Sequence, residues 1–485
     1  MTDTDTSQHD SLIERLMTVG YTATQSAARV AVYGKALNAL ACLSPEIDLS
    51  SKRIAAFLVP GRIEFLGKHT DYAGGRSLLC TVERGFAIVA YPRADRLIRI
   101  IDSAASSPVT FTLDSDLEVI DGHWSNYAMT VARRIARNFS GDLVGADIAF
   151  ASDLPPSSGM SSSSAMVVAF FLALAKINRL SERAEYLQNI GSSEDLAGYL
   201  GTVENGQTFR GLVGDQGVGT FGGSEDHTAI LCSRPGFLRQ YAFCPVRLER
   251  DIPLPNGYVL AIAASGVVAE KTGTARDSYN SLSKSVQTIL ELVNRETPFA
   301  SETLADAVAR GRDSTDALRK LVSEVQPADL SSRLVDRLEQ FIQEHTNIIP
   351  TAVDAICDGR LDDLGRIVQS SQEFAERLLK NQVPETIYLA KIAREFGAVA
   401  ASAFGAGFGG SVWALVSAEN ADEFLAKWSN GYSQQFASRA KSSAFFLTEG
   451  GQPALDLSDA KIRPAALVRD VAPITQAPKN AKVSN

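Results

Sequence analysis

Three stretches of this 485-residue chain gather side chains able to do chemistry. The first, PGRIEFLGKHTDYAGG at Pro60–Gly75, sets Arg62, Lys68, His69, Asp71 and Tyr72 within eleven residues. Donors and acceptors at that density suit a polyhydroxy ligand, whose hydroxyls need both. The second, DLPPSSGMSSSSA at Asp153–Ala165, is a run of small residues opening onto an apolar stretch. Small residues let backbone N–H groups close on an anion. A helix N-terminus adds unpaired N–H groups and the positive end of a dipole, so phosphate is the expected ligand. The run lacks the GK[ST] ending of a Walker loop, which excludes a P-loop nucleoside triphosphatase. The third, GAGFGG at Gly405–Gly410, satisfies GxGxxG, and so does GVGTFG at Gly217–Gly222. A dinucleotide fold needs a helix after that pattern, whereas SVWALV reads as a strand. A Rossmann reading is rejected for both, leaving a glycine hairpin shaped for close approach of something bulky or charged.

The elements that hold these loops follow from hydrophobic periodicity. Leu12–Leu43 reads as helical, and Ile54–Val59 as a strand entering a turn at Pro60 and Gly61. Val109, Phe111 and Leu113 alternate with Thr110 and Thr112, the pattern of a half-buried strand. Trp124, Tyr127, Val131 and Ile135 recur at helical spacing. Ile148–Ser152 is a strand leading into the serine run, and Ala165–Ile177 is the helix after it. The Gly-rich stretch Gly211–Gly223 separates Glu204 from Asp226. Tyr258–Ala263 reads as a strand and Ala269–Asn294 as a helix. Thr303–His345 reads as amphipathic helix, with Leu334, Leu338, Phe341 and Ile342 on one stripe, and so does Arg360–Lys380. Ala398–Phe404 and Ser411–Val416 read as strands about the glycine cluster. Val468–Asn485 has no periodicity and reads as a mobile tail. The sum is α+β, with a domain division near Leu248–Pro255.

Composition sets the boundaries of function. With 47 Lys and Arg against 56 Asp and Glu, the net charge of −9 disfavours a polyanion-binding surface. An anionic small ligand needs only one local cationic pocket. Five scattered cysteines, Cys42, Cys80, Cys232, Cys244 and Cys357, form no CxxC pair, so neither a disulfide framework nor a structural zinc site is expected. The start, MTDTDTSQHD, is unlike a signal peptide, and the apolar run Ala165–Ala175 is too short to span a bilayer. The expectation is a cytoplasmic protein without nucleic-acid or membrane partners.

In order and separation the three loops resemble the motifs of the GHMP kinases, and GRIEFLGKHTDYAGG resembles the signature of their galactokinase branch. WSNYAMTV at Trp124–Val131 is similar to a segment that lines the adenine pocket. GGSEDH at Gly222–His227 resembles the stretch bearing the catalytic aspartate, and SYN at Ser278–Asn280 and VPE at Val383–Glu385 add matches. The resemblance covers about residues 52–450. It implies a two-domain GHMP kinase fold, with an N-terminal domain like ribosomal protein S5 domain 2 and a ferredoxin-like C-terminal domain. The corresponding division is a helical extension over 1–50, domains over 51–250 and 251–450, and a tail over 451–485. The implied ligands are ATP, Mg²⁺ and a small-molecule sugar, in a monomer or weak homodimer. Carried over by position, Asp226 accepts the proton of the anomeric hydroxyl, with Arg62 beside it keeping it ionised. Lys68, His69, Asp71, Gly223 and Tyr279 face the sugar. Trp124 and Tyr127 hold the base. Ser158, Gly159, Ser161, Ser162, Ser163 and Ser164 wrap the phosphates, with Ser163 and Glu204 on the metal.

Four positions depart from that pattern. Lys68 stands where galactokinases carry a sugar-binding glutamate; an ammonium only donates and prefers an anion. That substitution raises a uronic acid, galacturonate or glucuronate, as an alternative to galactose. Glu64 replaces an asparagine and could pair with Lys68 or Arg62, and His227 replaces a glutamine. Ser161–Ser164 replace three serines and an alanine. Glu204 lies 22 residues before Asp226, against roughly a dozen in galactokinases. A catalytically dead sensor of sugar and ATP is the alternative of another class.

Overall fold

The computed structural model describes residues 3–120, 122–156, 158–267, 273–297, 300–458 and 463–465. The region 1–50 opens with two helices, α1 (Asp3–Thr18) and α2 (Ala23–Leu43). The single helix expected over Leu12–Leu43 is broken at Gly20, whose φ is +103°. A capping box then starts α2: Thr22 Oγ1 accepts from the Gln25 N–H, and Gln25 Oε1 accepts from the Thr22 N–H.

The next strands, β1 (Ala55–Leu66), β2 (Arg76–Pro92), β3 (Leu97–Asp102) and β4 (Val109–Thr112), are followed by α3 (Ser125–Asn138), β5 (Ala146–Ser152) and α4 (Ser162–Ile177). β1 does not stop at Pro60. It runs on through a register shift against β2 between Pro60 and Arg62, so Arg62 and Glu64 sit within the strand and not in a loop. Gly85 permits this. A side chain there would place Cβ 2.1 Å from the Val59 carbonyl oxygen. Helices α5 (Ala184–Asn189), α6 (Ser193–Asn205) and α7 (Glu225–Cys232) precede the hairpin β6 (Phe237–Ala242) and β7 (Arg247–Pro253). α4 is buried along nearly its whole length against α3, β1 and β2, as the apolar run Ala165–Ala175 within it requires.

The second sheet begins at β8 (Tyr258–Ala264). Helices α8 (Gly273–Glu296), α9 (Leu304–Val308), α10 (Arg312–Ser323), α11 (Ala328–Ile342), α12 (Ile349–Cys357), α13 (Leu361–Phe374) and α14 (Pro384–Glu395) separate it from β9 (Ala400–Phe404) and β10 (Ser411–Ser417). α15 (Ala421–Gln435) and β11 (Ala444–Thr448) follow. The spatial order β11-β8-β10-β9 on a β-α-β-β-α-β path is the ferredoxin-like arrangement.

Residues 451–457 return to the first sheet, where β12 (Leu455–Asp456) pairs antiparallel with β1 at Phe57 and Leu58, and β13 (Arg463–Pro464) pairs with β12. Val468–Asn485 lies outside the described residues. The two sheets meet where Phe65 of β1 stacks on Trp413 of β10, ring centroids 3.9 Å apart. All five cysteines are free thiols. No described helix is long and apolar enough to cross a membrane.

Candidate active site

The centre of the site is a single guanidinium. Arg62 is 3% exposed; its Nε donates to Asp226 Oδ1 at 2.6 Å and its Nη1 to the Gly159 carbonyl at 2.7 Å. It thereby joins β1, the first turn of α7 and the serine loop. Burial opposes its charge, but Asp226, Glu64 and Glu225 outweigh that and hold it above its ordinary value. The glycine hairpin closes the same junction from the second sheet. A Cβ on Gly405 would lie 2.7 Å from the Gly159 carbonyl oxygen and 3.1 Å from Arg62 Nη2. Ser411 Oγ donates to the Ser158 carbonyl at 2.6 Å. What GAGFGG approaches closely is therefore the serine loop and Arg62.

The serine loop has the features of an anion cradle. Gly159 and Ser161 take positive φ angles of 73° and 55° just before α4 begins at Ser162. Ser158 Oγ and Ser161 Oγ are buried and find no hydrogen-bond partner among the described residues. Such orphaned hydroxyls are costly unless a ligand supplies acceptors. Ser164 faces inward: its Oγ lies 2.8 Å from Glu204 Oε2 and 3.1 Å from Asp226 Oδ2. Ser163, the expected metal hydroxyl, sits about 100° round the helix from Ser164 and makes no hydrogen bond to either carboxylate among the described residues. His227 Nε2 approaches Glu204 Oε2 at 3.2 Å. Two carboxylates and a hydroxyl form an all-oxygen donor set beside the phosphate cradle, which fits a hard cation such as Mg²⁺ that completes its shell with phosphate and water.

On the other side of Arg62 the HTDY loop lines a tight cavity of about 40 Å³. His69 Nδ1 lies 3.0 Å from the Tyr72 hydroxyl and Nε2 lies 3.2 Å from the Ala406 carbonyl. The tautomer consistent with both carries its proton on Nε2. Asp71 Oδ2 accepts from the Glu225 N–H at 3.1 Å. Tyr279 of α8 faces His69 with ring centroids 5.3 Å apart, and burial pushes its phenol well above the ordinary range. Gly223 approaches so closely that a Cβ would lie 2.4 Å from Asp71 Oδ2. The loop is held from behind by α11: Gln340 Nε2 donates to the Lys68 carbonyl at 3.0 Å, and Arg337, 1% exposed, donates to the His69 carbonyl and to Tyr72. Neither Arg337 nor Gln340 was identifiable from the sequence, because only packing brings α11 to a loop some 270 residues earlier.

Lys68 is a correction. It does not line this cavity. Gly67, with φ of +117° and a Cβ position 2.4 Å from Ser77 Oγ, turns the chain so that Lys68 points beneath it. The ammonium, 1% exposed, donates to Ser402 Oγ at 2.9 Å and Ser371 Oγ at 3.2 Å, and Ser371 in turn donates to the buried Glu344. The cation on which an anionic sugar depends is turned away. Five carboxylates line the cavity instead: Glu64, Asp71, Glu204, Glu225 and Asp226.

Two of these form a pair the sequence did not disclose. Glu64 and Glu225, 3% and 5% exposed, lie within electrostatic reach of each other, and neither Oε1 finds a hydrogen-bond partner among the described residues. Burial raises Glu64 to about 7, against the opposing pull of Lys68 and Arg62. Glu225 is raised as well, by burial and then by Glu64 and Asp71. The signal was present as Glu64 on β1 and Glu225 in GGSEDH, but 161 residues separate them.

A second cleft opens beyond the serine loop, with Trp124, Phe150, Ser162 and Met166 among its walls. Tyr127 is half-buried against the core and does not line it, so only Trp124 of the two expected base-holding aromatics reaches this space.

Comparison with known proteins agrees with this arrangement. Residues 126–209 match the GHMP kinases N terminal domain, 352–434 the GHMP kinases C terminal domain, and 49–92 the galactokinase galactose-binding signature. A galactokinase of Chloroflexus aggregans is 28% identical over 378 residues, covering 77% of this chain and 86% of that protein. Among solved structures, Lactococcus lactis galactokinase complexed with galactose aligns with a TM-score of 0.69 at 20% identity, over 86% of this chain and 99% of that one. Methanococcus jannaschii mevalonate kinase aligns with a TM-score of 0.51 at 14% identity, over 84% and 100%. These structural likenesses show a shared fold.

Proposed function

The chain belongs to the GHMP kinase family and is a phosphotransferase, and on that footing we propose that it transfers the γ-phosphoryl group of ATP to the anomeric hydroxyl of galactose or a closely related neutral hexose. The observation that carries this reading is the Arg62–Asp226 ion pair, which stands between the HTDY cavity and the serine loop and belongs to both.

In this reading the sugar occupies the cavity between Asp71, His69 and Tyr279, with its anomeric hydroxyl toward Asp226. Arg62 keeps Asp226 ionised, so the carboxylate orients that hydroxyl and takes its proton as the oxygen attacks phosphorus. The same guanidinium faces the charge that develops on the phosphoryl oxygens. Ser158, Ser161 and the N-terminus of α4 receive the phosphates, and Trp124 packs on the base. Glu204, Asp226 and Ser164 are the residues that would hold Mg²⁺, which when bound neutralises charge on the phosphate oxygens. The lining carboxylates accept from neutral hydroxyls and repel a uronate. That favours galactose over the acid sugars.

The test is ATP turnover across galactose, galacturonate, glucuronate, arabinose and glucosamine, with the Asp226→Asn enzyme alongside. Turnover with a neutral hexose that falls at least about 1,000-fold in Asp226→Asn supports the reading. Binding of sugar and ATP without turnover would make the protein a sensor, and preferred turnover of a uronate would overturn the substrate.

A further inference from the structure

The helix α2 lies before residue 49, where the match to the galactose-binding signature starts. It is nonetheless built into the wall of the second cleft. Its buried side packs on the first sheet, with Val32, Ala36 and Leu40 against Ala87, Val89, Ala149 and Ala151. Arg29, 4% exposed, forms an ion pair with Asp153 at the root of the serine loop, and Asp153 Oδ1 also accepts from the Gly85 N–H at 2.8 Å. Ser44, just past the end of α2, donates to Asp147 at 2.6 Å. The helix is therefore anchored at both ends.

The opposite stripe of α2 faces the cleft. Lys35, Asn38 and Cys42 all line it, at the three- and four-residue steps that put side chains on one helical face. Lys35 and Asn38 make no hydrogen bond or ion pair among the described residues. Facing them are Ile101, Trp124 and Phe150, an apolar and aromatic wall, and the cleft runs on to Ser162 at the mouth of the phosphate cradle. One flat apolar wall, one wall of free polar groups and an anion cradle at the end together match the three parts of an adenine nucleotide: base, ribose and phosphates.

We propose that α2 is the outer wall of the nucleotide site, with Lys35 and Asn38 contacting bound ATP. This rests on the kinase reading above and adds that the N-terminal helices are part of its ATP site. The consequence is chemical as well as kinetic. Nucleotide in the cleft shields the exposed Cys42 thiol, whereas sugar in the other cavity does not.

The experiment is maleimide labelling of the full-length protein, read by peptide mass spectrometry, with the exposed Cys357 as internal reference. It is run without ligand, with a non-hydrolysable ATP analogue and with galactose. The analogue is expected to slow Cys42 modification at least about tenfold relative to Cys357, and galactose to leave it unchanged. Lys35→Ala and Asn38→Ala are each expected to raise KM for ATP about five- to twentyfold while KM for sugar stays put, and a melting curve confirms that each variant folds. If the analogue binds by equilibrium dialysis but Cys42 labelling and both KM values for ATP are unmoved, the α2 proposal is overturned while the kinase reading stands. If the protein neither binds nor consumes ATP, both fall.

Discussion

Replacing Glu64 by glutamine tests the raised carboxyl of this buried pair directly. The Glu64 carboxyl is held at about 7, against an ordinary value of 4.5, chiefly by burial, which Lys68 and Arg62 only partly offset. A buried carboxyl with a raised value in the folded state binds a proton the unfolded chain has released. Its contribution is absent below pH 4.5, destabilises increasingly between 4.5 and 7, and is complete above 7. At about 1.4 kcal/mol per pH unit, that displacement amounts to about 3 kcal/mol. A glutamine of the same shape carries no such proton. With an unfolding entropy of about 2.1 cal/mol/K per residue, a chain of this length shifts its melting midpoint by about 1 °C per kcal/mol. Glu64→Gln is therefore expected to melt about 3 °C above the parent at pH 8 and level with it at pH 4.5, with the gap opening between those limits. Differential scanning fluorimetry across buffers from pH 4.5 to 8.5 reads this directly. An offset of constant size at every pH, or a variant less stable at pH 8, would refute the raised Glu64 carboxyl.

Three further outcomes follow from contacts already described. Ser164→Ala removes the hydroxyl between Glu204 and Asp226 and is expected to raise the Mg²⁺ needed for half-maximal turnover about tenfold; Ser163→Ala leaves it unchanged, and a metal titration of the rate distinguishes them. Gly223→Ala places a Cβ 2.4 Å from Asp71 Oδ2, which forces Asp71 aside, so KM for sugar rises at least about tenfold with little change in KM for ATP. Lys68→Ala leaves the buried hydroxyls of Ser371 and Ser402 short of a donor, at a cost of about 2 kcal/mol. It therefore lowers the melting midpoint without changing the order of preference among neutral and anionic sugars.

How much of this site was readable from sequence depended on how far apart its parts lie along the chain. The serine loop, the HTDY loop and the glycine hairpin announce themselves by composition, because backbone approach to an anion and tight hairpins demand small residues locally. Arg62 and Asp226 were identified through those loops, and the structure joins them. Direction was harder. Whether Lys68 turns toward the sugar or beneath it is decided by Gly67 and by Ser371 and Ser402, some 300 residues later. Ser163 and Ser164 are chemically alike, and only the phase of α4 separates them. The Glu64–Glu225 pair and the support from Arg337 are products of packing between elements whose local sequence says nothing of their neighbours. The strand predicted to end at Pro60 continues because Gly85 opposite makes room for it, a cross-strand condition that no single segment displays.

The return of residues 451–457 to the first sheet has a consequence for biosynthesis. β1, which bears Arg62, is hydrogen-bonded on one side to β2, less than 40 residues along, and on the other to β12, about 400 residues along. A ribosome emitting chain at about 5–20 residues per second leaves that edge of β1 unpaired for roughly 20–80 seconds. During that interval a wholly apolar stretch, Ala55–Val59, offers free backbone groups to any passing strand. The docking of α2 on the same sheet covers one of its faces early, but the edge itself waits for the end of the message. Premature termination between Gly410 and Leu455 would thus yield a chain with every residue of the sugar and phosphate loops and an open edge on the strand that bears its central arginine, a species prone to aggregate before it ever meets substrate.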